Sequence, residues 1–182
     1  WSGATWEDIW PAAGEQATYE VITFGSATTD LVAYVDYTPV EWKGGNFSRF
    51  IVGTPEPGND GMIVYFDNSV PWNPTCKGIE GFSITNTSGP AIQEWFDDPI
   101  GIDLNQPAGT QFNVTATVHS NFGKEESSFE SLYSFTYVGY EESIGIPVGT
   151  LADLMYINVG ITQTFSKDEP DFEVDFYLSK DE

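Results

Sequence analysis

Phe172-Glu173-Val174-Asp175-Phe176-Tyr177-Leu178 is the stretch whose reading decides the fold. Successive side chains of a β-strand point to opposite faces, so Phe172, Val174, Phe176 and Leu178 share one face. Glu173 and Asp175, continuing the alternation from Asp171, share the other. An apolar row backed by an acidic row describes a strand with one side in a core and one side in water. The same alternation places Met155, Ile157, Val159 and Ile161 opposite Tyr156, Asn158 and Thr162, and Val114, Ala116 and Val118 opposite Asn113, Thr115 and Thr117.

Working outward, further strands are predicted near 17–24, 31–37, 47–53, 61–67, 81–85, 92–96, 132–140 and 143–147, about eleven in all. Between them stand clusters of the residues that make turns, Gly53–Gly61, Pro71-Trp72-Asn73-Pro74 and Asp97-Asp98-Pro99. Helical periodicity is nearly absent, and a short helical turn is expected only near Ala4–Trp10 or Gly149–Leu154. Strands at this spacing, without crossover helices, predict an all-β antiparallel sandwich or open barrel. No loop is long enough to link independent domains, so residues 1–182 read as a single domain. Pro11–Tyr19 and Pro107–Val114 each set a Pro/Gly turn before a strand. That echo is read as two similar halves, with chance similarity between turns as the alternative.

Apolar residues make up 40% of the chain and aromatics 15%, enough to fill a core. Six basic residues against 28 acidic ones give a formal charge of −22, which repels phosphate backbones and anionic lipid. Nucleic acid is therefore not an expected partner. No run of ~18 apolar residues is present, so no transmembrane segment is expected. The single cysteine, Cys76, reads as a small buried or loop residue, with an intermolecular bridge as the minor alternative. The start Trp1-Ser2-Gly3-Ala4-Thr5 suits a mature end whose targeting segment has been removed.

Three stretches carry a resemblance. Ile9–Glu20 resembles the "Pro-Leu-x-x-Gly-x-x-Trp-x-Tyr" start of a loose family of exported bacterial envelope and lipoprotein-type β-domains of uncharacterised function. Ile144–Leu154 is similar to its "Val-Pro-Ala-Gly-Thr-Phe" turn between late strands, and Pro107–Phe112 to its mid-chain "Gly-x-x-Trp" turn. Ala17 and Phe112 stand where the family has Trp, and Leu151 where it has Phe. The sequence closes on Lys180-Asp181-Glu182 where such proteins continue into a last strand, so either the end is trimmed or a sheet edge is left unpaired. The resemblance implies an exported, lipid-anchored or periplasmic antiparallel barrel or sandwich with no known catalytic residues, and the expected location is extracellular, periplasmic or at the cell surface.

Few residues suit chemistry. His119 is the single histidine and belongs to the polar row of its strand. It has no Gly-x-Ser-x-Gly elbow beside it, and Ser120 points the other way. A zinc site needs several His or Cys ligands that the chain does not have. Asp97, Asp98 and Asp103 in one loop, and Glu56, Asn59 and Asp60 in another, are candidate Ca²⁺ ligands, though turn chemistry and solvation account for them more simply. The acidic run Asp168-Glu169-Pro170-Asp171 reads as a solvated face that discourages edge pairing. Trp42, Trp72 and Trp95 lie in or beside turns and are candidate stacking platforms for a sugar, against the plainer reading of half-buried packing. Asn46-Phe47-Ser48, Asn86-Thr87-Ser88 and Asn113-Val114-Thr115 match the glycosylation sequon.

The reading that follows is a non-catalytic exported domain of the cell envelope, with no cofactor beyond an optional Ca²⁺. It acts through a protein partner or self-association at sheet edges, as in a surface assembly or filament. A carbohydrate- or small-ligand-binding module is the first alternative, and a carboxylate-dependent glycoside hydrolase the second.

Overall fold

A computed structural model describes residues 5, 16–23, 26–53, 61–82, 92–121, 126–146, 149–162 and 172–178. Side chains are described at 5, 35–53, 61–81, 93–121, 126–140 and 155–162. Ten strands follow one another: β1 (Gln16–Thr23), β2 (Ser26–Trp42), β3 (Gly45–Gly53), β4 (Gly61–Asp67), β5 (Thr75–Phe82), β6 (Ile92–Gly101), β7 (Gln111–Asn121), β8 (Glu126–Ile146), β9 (Gly149–Thr162) and β10 (Phe172–Leu178). They form a single antiparallel sheet in chain order, an up-and-down meander that curls into a half-barrel. Of the two architectures expected, the open barrel is the one formed.

The alternation in the sequence maps directly onto the register. Phe172, Val174, Phe176 and Leu178 stand across from Ile161, Val159, Ile157 and Met155. Val159 and Ile157 in turn stand across from Phe135 and Tyr137 of β8. On β7, Ala116 and Val118 are buried while Asn113 and Thr115 are exposed.

Four local expectations are corrected. The stretches 132–140 and 143–147 are one strand, because Glu141, Ser143 and Ile144 continue the ladder with Leu154, Ala152 and Leu151. A strand expected at 81–85 begins six residues earlier, as β5. Gly149–Leu154 opens β9 and is not a helical turn. Asp97-Asp98-Pro99 is not a loop but part of β6. Between the pairs Cys76↔Ile100 and Gly78↔Trp95, residues 96–99 of β6 oppose Lys77 alone. This bulge accommodates a proline, whose missing N–H would otherwise leave a gap in the ladder. The other suggested helical turn, at 4–10, lies outside the described residues except for Thr5, as do the first part of the Pro11–Tyr19 echo and the run 168–171.

Two apolar clusters result. The larger joins Ile100, Leu104, Ala116, Phe135, Tyr137, Met155, Ile157 and Val159. Leu104, fully buried, comes from the β6–β7 connection, which is pinned on both sides. The Ile102 and Leu104 N–H groups donate to the Pro74 and Trp72 carbonyls at 3.2 and 2.8 Å, and Gly109 N–H donates to Tyr137 O at 2.7 Å. The smaller cluster joins Phe47, Ile51, Ile63 and Tyr65, with Trp42 against it. Directly paired residues share a face, so the chain of pairs Tyr65↔Gly78↔Trp95↔His119 sets one face and Phe96↔Val118↔Phe129 the other. The two clusters therefore lie on opposite faces of the sheet.

Ile157 is fully buried at the centre of the larger cluster. Truncation to alanine leaves a cavity that the neighbouring strands cannot close, so Ile157→Ala is expected to cost about 2–5 kcal/mol in urea unfolding. A loss below about 1 kcal/mol would show that the cluster is not the stabilising core.

Candidate functional site

The second face carries an unusual line of side chains. It begins at the β2–β3 hairpin, where Trp42 pairs with Gly45 and only Lys43 and Gly44 intervene. Both have positive φ, 44° and 83°, as a two-residue primed turn requires. Gly44 meets that demand freely, whereas lysine is an uncommon choice for such a backbone. The turn aims Trp42 and Lys43 across the sheet. The Trp42 ring stacks on Tyr65 of β4 with centroids 3.9 Å apart and 5° between planes. Lys43 Nζ lies 3.4 Å from the centroid of Trp95 on β6 and 6.0 Å from that of Trp42. Trp95 in turn stacks on His119 of β7 at 5.2 Å and 12°.

The contacts thus run Tyr65, Trp42, Lys43, Trp95, His119. In register, Tyr65 and Trp95 are separated by one position, and that position is Gly78. Neighbouring strands lie about 4.8 Å apart, so the two rings rise from strands about 10 Å apart with no β5 side chain between them. A Cβ on Gly78 would come within 2.3 Å of the Glu94 carbonyl oxygen and 2.7 Å of Trp95 Cα.

His119 ends the line in an acidic setting. Its Nε2 is 2.8 Å from Asp97 Oδ1, and its Nδ1 is 3.8 Å from Glu126 Oε1. Lys77 Nζ donates to the Asp97 carbonyl at 2.7 Å, which ties the β6 bulge to β5. Ser120 is turned to the opposite face, where its hydroxyl donates to Glu94 Oε1 at 3.4 Å.

The three candidate tryptophans are therefore divided. Trp42 and Trp95 join the line, Trp95 being only 8% exposed beneath Lys43, while Trp72 lies apart in the β4–β5 turn with 51% exposure. The candidate carboxylates are divided as well. Asp97 is held by His119, and Asp98 is exposed on the bulge. Asp103 caps its own turn, accepting from Asn105 N–H at 2.9 Å and Gln106 Nε2 at 2.7 Å. Among the described residues no three His, Cys, Asp or Glu side chains converge where an ion could be held. Glu56, Asn59 and Asp60 lie outside them. Of the sequons, Asn46 and Asn113 are exposed on β3 and β7, and Asn86 lies outside the described residues. Elsewhere on the same face, Asp36 pairs with Arg49 across β2 and β3. Burial alone would raise its pKa, but the Thr38 N–H and the Arg49 guanidinium outweigh it and hold the carboxyl below the usual value. Sequence reasoning did not find Lys43 or Tyr65, and the available signal was the Trp42-Lys43-Gly44-Gly45 turn, whose tip carries a cation beside an indole.

No protein-family model matches this chain, and neither a curated protein nor a solved structure is similar to it.

Two expectations follow from this geometry. Because the atoms met by a Cβ at Gly78 are backbone, Gly78→Ala is expected to cost about 1–3 kcal/mol and to disturb the Trp95 stack, seen as a changed near-ultraviolet circular dichroism signal. An unaltered spectrum with full stability would remove the glycine's role.

Cys76, on β5, has its thiol pushed up to about 11 by burial, against which a hydrogen bond with the Gly78 backbone works. Stability gained from keeping that thiol protonated is complete below pH 9.0 and is lost as the pH rises toward 11. An aromatic disulfide reagent at pH 8 should therefore label the half-buried Cys76 more slowly in the folded protein than in urea. Labelling as fast as in urea would contradict a protected thiol.

Proposed function

We propose that this chain is a non-catalytic, exported domain of the cell envelope that works by receiving a strand of another polypeptide along the edges of its sheet. The observation that carries this reading is the open sheet. Among the described residues, β1 pairs only with β2 and β10 only with β9, so the meander presents two edges and does not close. Unpaired edge N–H and C=O groups are a template for strand addition, and their bonding supplies affinity while alternate side chains supply selectivity. The charge of −22 supports controlled rather than indiscriminate pairing, because like-charged copies repel until salt or a complementary partner screens them. The resemblance of the Ile9–Glu20, Pro107–Phe112 and Ile144–Leu154 stretches to envelope β-domains supports the location.

In an antiparallel strand the N–H groups of successive residues point to opposite neighbours. Of Val174→Pro and Asp175→Pro, one variant therefore removes a donor facing β9 and the other a donor facing outward. Only the second should keep the wild-type unfolding midpoint, and it should lose the salt-promoted association measured by light scattering. A wild-type chain that stays monomeric from low salt to 1 M NaCl, and protects no β1 or β10 amide from hydrogen exchange when mixed with an envelope extract, would refute the proposal.

A further inference from the structure

We infer that the slot between Tyr65 and Trp95 is a binding site for an alkylammonium group, which the chain's own Lys43 fills in the free protein. Three observations carry it. The Lys43 ammonium is 3.4 Å from the Trp95 centroid and within 6.0 Å of Trp42, so two indoles already serve one cation. In a chain with 28 acidic residues and six basic ones, a lysine would ordinarily be expected to pair with a carboxylate. Among the described residues the basic side chains within ion-pairing distance of a carboxylate are Arg49 and His119, and Lys43 is not one of them. Between the two walls the register places Gly78, so no β5 side chain stands between Tyr65 and Trp95.

The chemistry selects the ligand. An aromatic face attracts an ammonium through its quadrupole, and the contact strengthens as the cation sheds water, so a weakly hydrated alkylated ammonium suits the slot better than a metal ion. Tyr65 and Trp42, stacked at 3.9 Å, form one wall, and Trp95, stacked on His119, forms the other. Asp97 and Glu126 lie beyond His119 and add a negative field of the matching sign. Lys43 is exposed on a two-residue turn, so it leaves the slot by side-chain rotation alone, without breaking a ladder bond. Two sources present this group: a free alkylamine, and a lysine side chain of a bound protein. None of the residues concerned lies on β1 or β10, so the site stands or falls independently of strand addition at the edges.

Lys43→Asn removes the ammonium and keeps a residue that tolerates positive φ in a primed turn. The imidazole protons of His119, the only histidine, give a single pair of proton resonances beside Trp95 and report on the slot. Tetramethylammonium chloride should shift them saturably in the Lys43→Asn protein. The wild type should need roughly ten times more, as for a site closed nine-tenths of the time by its own lysine. Sodium chloride at equal ionic strength should leave them in place. N-acetyl-lysine-methylamide forms the second arm: a saturable shift with it points to a partner's lysine, and a shift with tetramethylammonium alone to a free quaternary amine. If neither cation produces a saturable shift in either protein, or if sodium moves the signals equally, the inference is wrong. Titration of the wild type alone distinguishes these outcomes even if the variant fails to fold.

Discussion

The antiparallel ladder fixes which face every side chain occupies, and all other features of this molecule inherit that choice. With strands in chain order, each register is set by the hairpin before it, and a slip of one residue anywhere would exchange the two faces of the slipped strand. The sheet tolerates irregularity only as bulges that restore the phase. Val21/Thr23, Asp36/Val40, Tyr65/Phe66, Cys76/Gly78 and Tyr137/Gly139 mark those points. The largest of them, at residues 96–99, also places Asp97 against His119.

An open curled sheet with a core on one face would leave the other face wet along its length. Here the second face is dry in one place, around Phe47, Ile51, Ile63 and Tyr65. The reason lies in the β2–β3 hairpin tip, which reaches back over the strands that follow it. Trp42 covers Tyr65, and Lys43 covers Trp95, so two adjacent residues shield rings two and four strands away from β2. Trp42 contributes area, while the lysine contributes its stem as well as its charge. A side chain at Gly78 would press on the β6 backbone at Glu94 and Trp95, beneath the ring that Lys43 covers.

The strands most legible in the sequence were those whose apolar row faces the larger cluster. β7 and β9 alternate because one row, Ala116 on β7 and Met155, Ile157 and Val159 on β9, joins the larger cluster, while Asn113 and Thr115 on β7 are exposed. β5 was hidden because Thr75-Cys76-Lys77-Gly78-Ile79-Glu80-Gly81 places glycines where the pattern needs side chains. The break expected between 140 and 143, at the acidic pair Glu141-Glu142, lies within β8, because the 13 pairs to β9 carry the strand past it. Asp97-Asp98-Pro99 has the composition of a turn and becomes a bulge because strands on both sides hold its ends. The candidate site was half legible. Trp42 and Trp95 stood out as large rings near turns, but their link through Lys43 depends on a contact between a hairpin tip and β6 that no local pattern encodes.

Charge and aromatic packing bear on each other at this point. A protein this acidic raises the local concentration of any cation, and its few basic groups compete with those cations for carboxylates. Arg49 is drawn to Asp36, and Lys77 to the bulge carbonyl of Asp97. Lys43 instead rests on indole, where attraction depends on ring quadrupoles and is less easily screened by salt than an exposed ion pair. The hairpin tip is thereby held by an interaction that persists at ionic strengths sufficient to suppress the repulsion between copies. The conditions that would favour the proposed contact between sheet edges are then conditions under which the second face remains packed.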